Sequence, residues 1–420
     1  MIGHLSDPVS SSMLPVPRRE RIDQLDVLRG FALGGIVVVN YGVLSGLLFM
    51  SPAELASLQF TAADRAAQFL IHVLLEQKFY SLFSLLFGIG FSILMGRAMD
   101  RGSAFAPFFR RRLVLLLGIG FVHAILIWPG DILILYAVLG FVLLLFRDAS
   151  DRTVFRWGIG LLLSPIVVYA VFLAFRMPDP MAMLAGDGPS PLATALAAFR
   201  KGSYPEVVAA NVFMYAGRWI QYLLSIRIPR VLGMFLLGVW LDRRNVFRDP
   251  DGNRALLITT LAWGVAVGLP ANLAVAWIGE SQAALPASGR GLVHTTLSAI
   301  GVPALALAYA SAIALAMLRA AGRSRWTVLA PMGRMALTQY LLQSVAGVAI
   351  FYGLGLGLFG RVRPLAVCGI ALGVFAAQVV LSRIWMARFA YGPAEWTWRR
   401  LTYRVPVAFR RPAARSAGMA

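Results

Sequence analysis

Cysteine is almost missing from this 420-residue chain, Cys368 being the only one. No intrachain disulfide and no thiolate metal cluster can form from a single thiol. Histidine is nearly as sparse: His4, His72, His123 and His294 are too scattered for a zinc motif. Charge is scarce as well, at 14% of residues against about 25% in soluble globular chains. Acidic residues are the rarer sign, 19 against 39 basic, for a net charge of +20. That excess does not point to nucleic acid, and no nucleic-acid partner is expected. A nucleic-acid binder gathers its basic residues into one water-facing patch, whereas these sit in short runs between apolar segments. No apolar core with a small-residue cleavage site follows Arg18, Arg19 and Arg21, so a signal peptide is not indicated.

What the chain has in abundance is apolar length. Hydrophobic residues make up 59% and the mean hydropathy is +0.73. Stretches of about 20 apolar residues, each able to cross a hydrocarbon layer of about 30 Å, recur almost from end to end. The expected fold is all-α: a polytopic integral membrane protein with about ten transmembrane helices in one bundle. The segments fall at 28–49, 67–96, 113–128, 132–146, 154–175, 229–241, 255–278, 292–318, 329–358 and 364–386. Residues 1–20 are expected to be a disordered cytoplasmic tail and 21–390 a single helical domain. Within it 177–228 is a large outer loop, with a helix along the surface after Pro205. Residues 391–420 form an interfacial aromatic and basic segment and tail. Most of the basic residues then lie on the side of the N-terminus, which predicts a bacterial plasma-membrane protein with both termini cytoplasmic. Anionic lipid at that face is an expected partner, gripped by Tyr391, Trp396, Trp398 and Tyr403 interleaved with Arg399, Arg400 and Arg404.

An ionisable group inside a bilayer costs about 3 kcal/mol even on lenient scales, so such groups call for functional hypotheses. In the second span His72 and Glu76 are four apart and share a face, while Lys78 points elsewhere and needs a partner on another helix. In HAILIWPGDILILY, the Trp128–Gly130 turn lets His123 face Asp131 across a helical hairpin, with Tyr136 further along the next helix. A neutral imidazole held by a carboxylate is a general-base arrangement. The plain alternatives are Asp131 as the N-cap of that helix and His123 as a hydrogen-bonded packing residue. Asp26 and Arg29 are an interfacial pair at the start of the first span, and Asn40, eleven residues on, sits deep and needs a hydrogen bond. Gly30 and Gly34 form a GxxxG face. Arg110, Arg111 and Arg112 serve topology, with a second reading as a phosphate clamp. The glycines of YGLGLGLFG are packing or unwinding positions, and His4 and His294 carry no assigned role.

Taken in order, RIDQLDVLRGFALGGIVVVN, KFYSLFSLLFGIGFSILMGRA, HAILIWPGDILILYAVLG, KGSYPE, GRMALTQYLLQS and YGPAEWTWRRLTY resemble the YeiB-like bacterial membrane proteins. Their C-terminal half is known as a domain of unknown function numbered 418, and the resemblance covers about residues 20–405. The first span is also similar to those of the lysosomal heparan-sulfate acetyltransferase-like proteins and of the membrane-bound sugar O-acyltransferases. Asp26, Arg29 and Gly30 match the opening motif of all three groups. Where the sugar O-acyltransferases place a catalytic histidine, this chain has Asn40, as the heparan-sulfate group does. His72 is the nearest candidate for the histidine of that second group.

The resemblance implies transfer of an acyl group from cytosolic acyl-CoA, a co-substrate with no bound cofactor besides, to a small-molecule acceptor hydroxyl or amine on the outer side. The donor is expected near Arg29, Arg112 and Arg334, and His123 with Asp131 is expected to remove the acceptor's proton. Asp26, Asn40, His72, Glu76, Lys78 and Tyr136 would line the binding cavity between the two sides. A homodimer is a further expected partner state. The alternative is a transporter or exporter of a small solute or lipid-linked molecule, with His72, Glu76, Lys78 and Gln343 as its path.

Overall fold

The structure, a computed structural model, describes residues 22–177, 191–279 and 286–411. The expected tail at 1–20 lies outside those residues. Local chemistry marks many of the helix starts. Ser51 and Glu54 form a capping box at α2 (Pro52–Ser57), and Thr61 and Asp64 form another at α3 (Ala62–Leu74). Ser150 caps α7 (Asp151–Ala174), and Ser288 caps the long helix Gly289–Leu318. Prolines open the helices Pro364–Arg388 and Pro393–Tyr403, where a missing N–H is harmless.

The described residues are helical, with no β-strand among them, and the fold is that of an all-α multi-pass membrane protein. By length and composition six segments are able to cross a membrane. They are α1 (Asp23–Leu44), the pair α3–α4 (Ala62–Asp100, with α4 from Lys78), α7, α11 (Arg254–Ile278), α12 (Gly289–Leu318) and α16 (Pro364–Arg388). A seventh arises if α9 (Tyr204–Leu224) and α10 (Arg227–Arg243), bent by 72° at their junction, count as one. Ten were expected, and the shortfall has local causes. The segment at 113–128 belongs to α5 (Phe105–Leu126), whose arginine triplet spoils its apolar window. The segment at 132–146 is the short α6 (Leu133–Leu143) with one 3-10 turn, and the stretch 329–358 breaks into α14 (Ala330–Arg334) and α15 (Ala336–Phe351). Within the region expected as an outer loop, the described residues hold α8 (Pro191–Lys201) and α9, the latter where a helix after Pro205 was expected.

Burial sorts the spans into a centre and a rim. More than half of the apolar window is buried in α1 (56%), α3–α4 (56%) and α12 (61%), against 22% in α7, 28% in α11 and 22% in α16. In lipid the apolar rim loses nothing by facing outward, and helix contacts rest on close packing instead. Glycine supplies it. A Cβ on Gly88 of α4 would strike the Phe235 carbonyl of α10, and one on Gly238 would strike the Leu85 carbonyl in return. Likewise Gly30 of α1 lies against Leu329, and Gly333 of α14 against the Asp26 carbonyl. The expected small-residue face of α1 is therefore in use.

Candidate functional site

A cavity of about 1060 Å³ runs through the centre of the bundle. One stripe of α1, Asp26, Arg29, Leu33, Ile36, Asn40 and Val43, lines it from end to end, at the three- and four-residue spacing of a single helix face. The 22 residues of α1 at 1.5 Å each make about 33 Å, the thickness of a hydrocarbon core. A matching stripe of α4 runs from Phe79 through Phe83, Phe87, Gly90 and Leu94 to Arg97. Phe79 packs against Gly35, so α4 begins level with the middle of α1.

One end is rich in arginine. Asp26 accepts from the Arg29 guanidinium at 3.0 Å and from Arg334 at 3.1 Å, and Arg334 also reaches Asp23 at 2.9 Å. The Arg112 guanidinium stacks 3.6 Å from the Trp398 ring, whose indole N–H donates to the Arg112 carbonyl at 3.0 Å. Arg97 and Arg399 line the same end. The triplet thus divides: Arg112 faces the cavity, Arg111 holds the Thr402 carbonyl at 3.0 Å and Arg110 is exposed. This end also takes in part of the segment expected to form the lipid belt. Tyr391, Trp398, Arg399 and Tyr403 line the cavity, because α17 (Pro393–Tyr403) is pinned inward by Glu395. That carboxylate accepts from the backbone N–H groups of Leu337 and Thr338 at 2.6 and 3.1 Å and from the Thr338 hydroxyl at 2.6 Å. Burial nevertheless pushes the Glu395 carboxyl above its ordinary range, against the pull of those donors.

Midway along, α3 stops at Leu74 and α4 starts after Gln77, a left-handed residue at φ +65°. His72 donates from Nδ1 to Glu76 at 2.7 Å, so the expected pair forms, and Glu76 lines the cavity. Lys78 is 2% exposed and outside the cavity wall. Its ammonium donates to the His72 carbonyl of α3 at 2.7 Å, across the break between α3 and α4. Asn40 and Tyr136 line the cavity, and the Tyr136 hydroxyl donates to the Tyr80 carbonyl at 3.0 Å. His294, given no role from the sequence, is buried in the same wall.

His123 and Asp131 meet as the turn between them requires, but not in the cavity. The Asp131 carboxylate accepts from His123 Nδ1 at 2.8 Å and from the Ile134 N–H at 2.8 Å, so it is both imidazole partner and helix cap. With the proton on Nδ1, Nε2 accepts from the Ser344 hydroxyl of α15 at 2.8 Å. His123 and Asp131 are 1% and 0% exposed. Gly130 and Tyr340, joined by a 3.3 Å hydrogen bond from the Tyr340 hydroxyl to the Gly130 carbonyl, stand in the cavity wall. Gln343 is also outside the wall, tying α15 to the Leu33 carbonyl and to Gln378. Sequence reasoning missed Ser344, Glu395 and the cavity arginines Arg97, Arg218, Arg227, Arg230 and Arg399. Ser344, Glu395 and Arg399 lie inside the strings GRMALTQYLLQS and YGPAEWTWRRLTY, which were the available signal.

Comparison with known proteins agrees with those strings. The family described as "Protein of unknown function (DUF418)" matches residues 241–405. YxaH of Bacillus subtilis (strain 168) is 32% identical over 406 residues, covering 94% of this chain and 97% of YxaH. YeiB of Escherichia coli (strain K12) is 30% identical over 393 residues, covering 92% of this chain and 97% of YeiB. A 39.9 kDa protein from the amylase 3' region of Bacillus acidopullulyticus is 29% identical over 409 residues, covering 96% and 100%.

Proposed function

This chain belongs to the YeiB-like membrane proteins of the DUF418 family, and from that premise we propose that it is a transmembrane acyltransferase using a cytosolic acyl-CoA. The observation that carries the reading is the cavity: guanidinium groups crowd one end of a passage that follows α1 for its whole length. Arg29, Arg97, Arg112, Arg334 and Arg399, with the Trp398 ring among them, suit a phosphate-rich nucleotide with a flat base. The acyl arm then extends inward towards Glu76. The membrane is taken as the bacterial plasma membrane, with the arginine-rich end cytoplasmic.

In this reading an acceptor oxygen or nitrogen attacks the thioester carbonyl carbon while its proton passes to Glu76. His72, hydrogen-bonded to that carboxylate at 2.7 Å, holds it in position. The carbon–sulfur bond breaks and the departing thiolate takes a proton back. His123 has no part in the step, since both ring nitrogens are engaged in a sealed place. It acts as a clamp between the α5–α6 hairpin and α15.

Transport of an anionic solute is the rival. It draws on the two interrupted helix pairs, α3–α4 and α9–α10, since discontinuous helices often mark transporter sites. Purified protein in liposomes with labelled acetyl-CoA separates the two. Acyl transfer requires label to leave coenzyme A for an acceptor or for water, and Glu76→Gln is expected to slow it by about 10²–10⁴-fold. Gradient-driven uptake of an unmodified solute, with no thioester cleavage for any acceptor tried, sinks the acyltransferase reading.

A further inference from the structure

Two helix starts meet in the cavity wall. α4 begins after Gln77 at φ +65°, and α10 begins after Ile226 at φ +50°. Arg230 joins them: its guanidinium donates to Gln77 Oε1 at 3.0 Å, to the Ser225 carbonyl at 2.8 Å and to the Ser298 hydroxyl of α12 at 3.4 Å. The positive ends of two helix dipoles therefore come together beside two guanidinium groups, those of Arg227 and Arg230. Glu76, also in the wall, accepts from His72 at 2.7 Å and lies within electrostatic reach of Arg227.

The corner has unmet hydrogen-bonding capacity. Ser225 Oγ, Arg227 Nε, Arg230 Nε and both ring nitrogens of His294 are buried without a partner, and all four residues line the cavity. His294 is 4% exposed and stands one helical turn before Ser298. Orphaned polar atoms inside a protein are costly and rare, and five on facing elements at one place call for something to fill them. Guanidinium N–H, hydroxyl and imidazole groups around two helix N-termini complement a compact oxyanion.

We propose that Ser225, Arg227, Arg230 and His294 form a site for a phosphate group, carried either by inorganic phosphate or by a phospholipid headgroup. The proposal rests on the cavity and not on acyl transfer; under the acyltransferase reading it makes the acceptor a phosphate-bearing molecule.

The test uses the full-length protein in neutral detergent, titrated with inorganic phosphate at constant ionic strength and followed by calorimetry and thermal melting. Wild type is expected to bind and to melt higher. Arg227→Gln/Arg230→Gln should weaken binding at this site by 10-fold or more while leaving binding of a coenzyme A analogue at the arginine-rich end within 2-fold. If the double variant misfolds, His294→Gln/Ser225→Ala, which spares both guanidinium groups, should weaken binding 3- to 10-fold. Native mass spectrometry identifies the source: a phospholipid retained by wild type and lost from the variants assigns the site to a headgroup. Phosphate binding unchanged in both variants, with no retained lipid, overturns the proposal. Phosphate binding without any acyl transfer would keep the site and remove the acyltransferase reading.

Discussion

At the scale of single residues, the contrast between His123 and Glu76 matters most. Both were read from the sequence as ionisable groups inside the membrane, and both have the expected partner. Only Glu76 faces the cavity. Ser344→Ala removes one hydrogen bond from a sealed imidazole and should cost about 1–3 kcal/mol of stability, visible as a lower melting temperature in detergent. Turnover per folded molecule should hold, and a variant that melts normally but loses turnover would return His123 to the reaction. The pairing of His123 with Asp131 was legible because they stand only eight positions apart across a Trp-Pro-Gly turn. Ser344 was not, since it stands 221 positions from His123 and no local pattern marks a partner that distant. The cavity arginines were hidden for a similar reason: Arg227 fell in the expected outer loop and Arg230 in the next expected span, and the start of α10 turns both inward.

At the scale of elements, the apolar runs foretold where helices would be but not where they would break. Nothing in LLEQKF resembles a turn, as it contains neither glycine nor proline, yet α3 and α4 part there. The interruption is held by tertiary contacts, with Lys78 on the His72 carbonyl and Arg230 on Gln77. Glycine spacing was informative on α1, whereas the mutual fit of α4 and α10 depends on Gly88 and Gly238, 150 residues apart in the chain. Gly238→Ala forces a methyl group against the Leu85 carbonyl, so the two helices must separate. Overpacking of this kind costs about 1–3 kcal/mol. Gly96→Ala, in the same α4 but with nothing within 4 Å of the added carbon, should leave melting unchanged or slightly raised. Equal melting of the two variants would mean that this close contact does not stabilise the bundle.

At the scale of the whole molecule, the arrangement of ends bears on the orientation proposed above. The arginine-rich end holds Asp23, Arg97 and Arg334. On the same side the Arg243 guanidinium, at the last turn of α10, reaches the Arg147 carbonyl at 3.1 Å and Asp151 at 3.1 Å. The opposite end joins the close of α1 to the loop after α15, where the Gly360 N–H donates to the Ser45 carbonyl at 2.7 Å. Beside it Arg200 ion-pairs with Glu54 at 2.7 Å. Arginine clustering at one end is what the positive-inside rule requires of a cytoplasmic face. α5 runs 22 residues, about 33 Å, and still carries three consecutive arginines, of which Arg112 faces a polar cavity and not lipid. In a Cys368→Ser background, Asp148→Cys at the arginine-rich end should react with a membrane-impermeant thiol reagent only after cells are opened. Ser57→Cys, beside Glu54, should react in intact cells. The reverse pattern would put the guanidinium cluster outside, where no acyl-CoA is supplied, and the passage would then have to admit its anionic ligand from the other compartment.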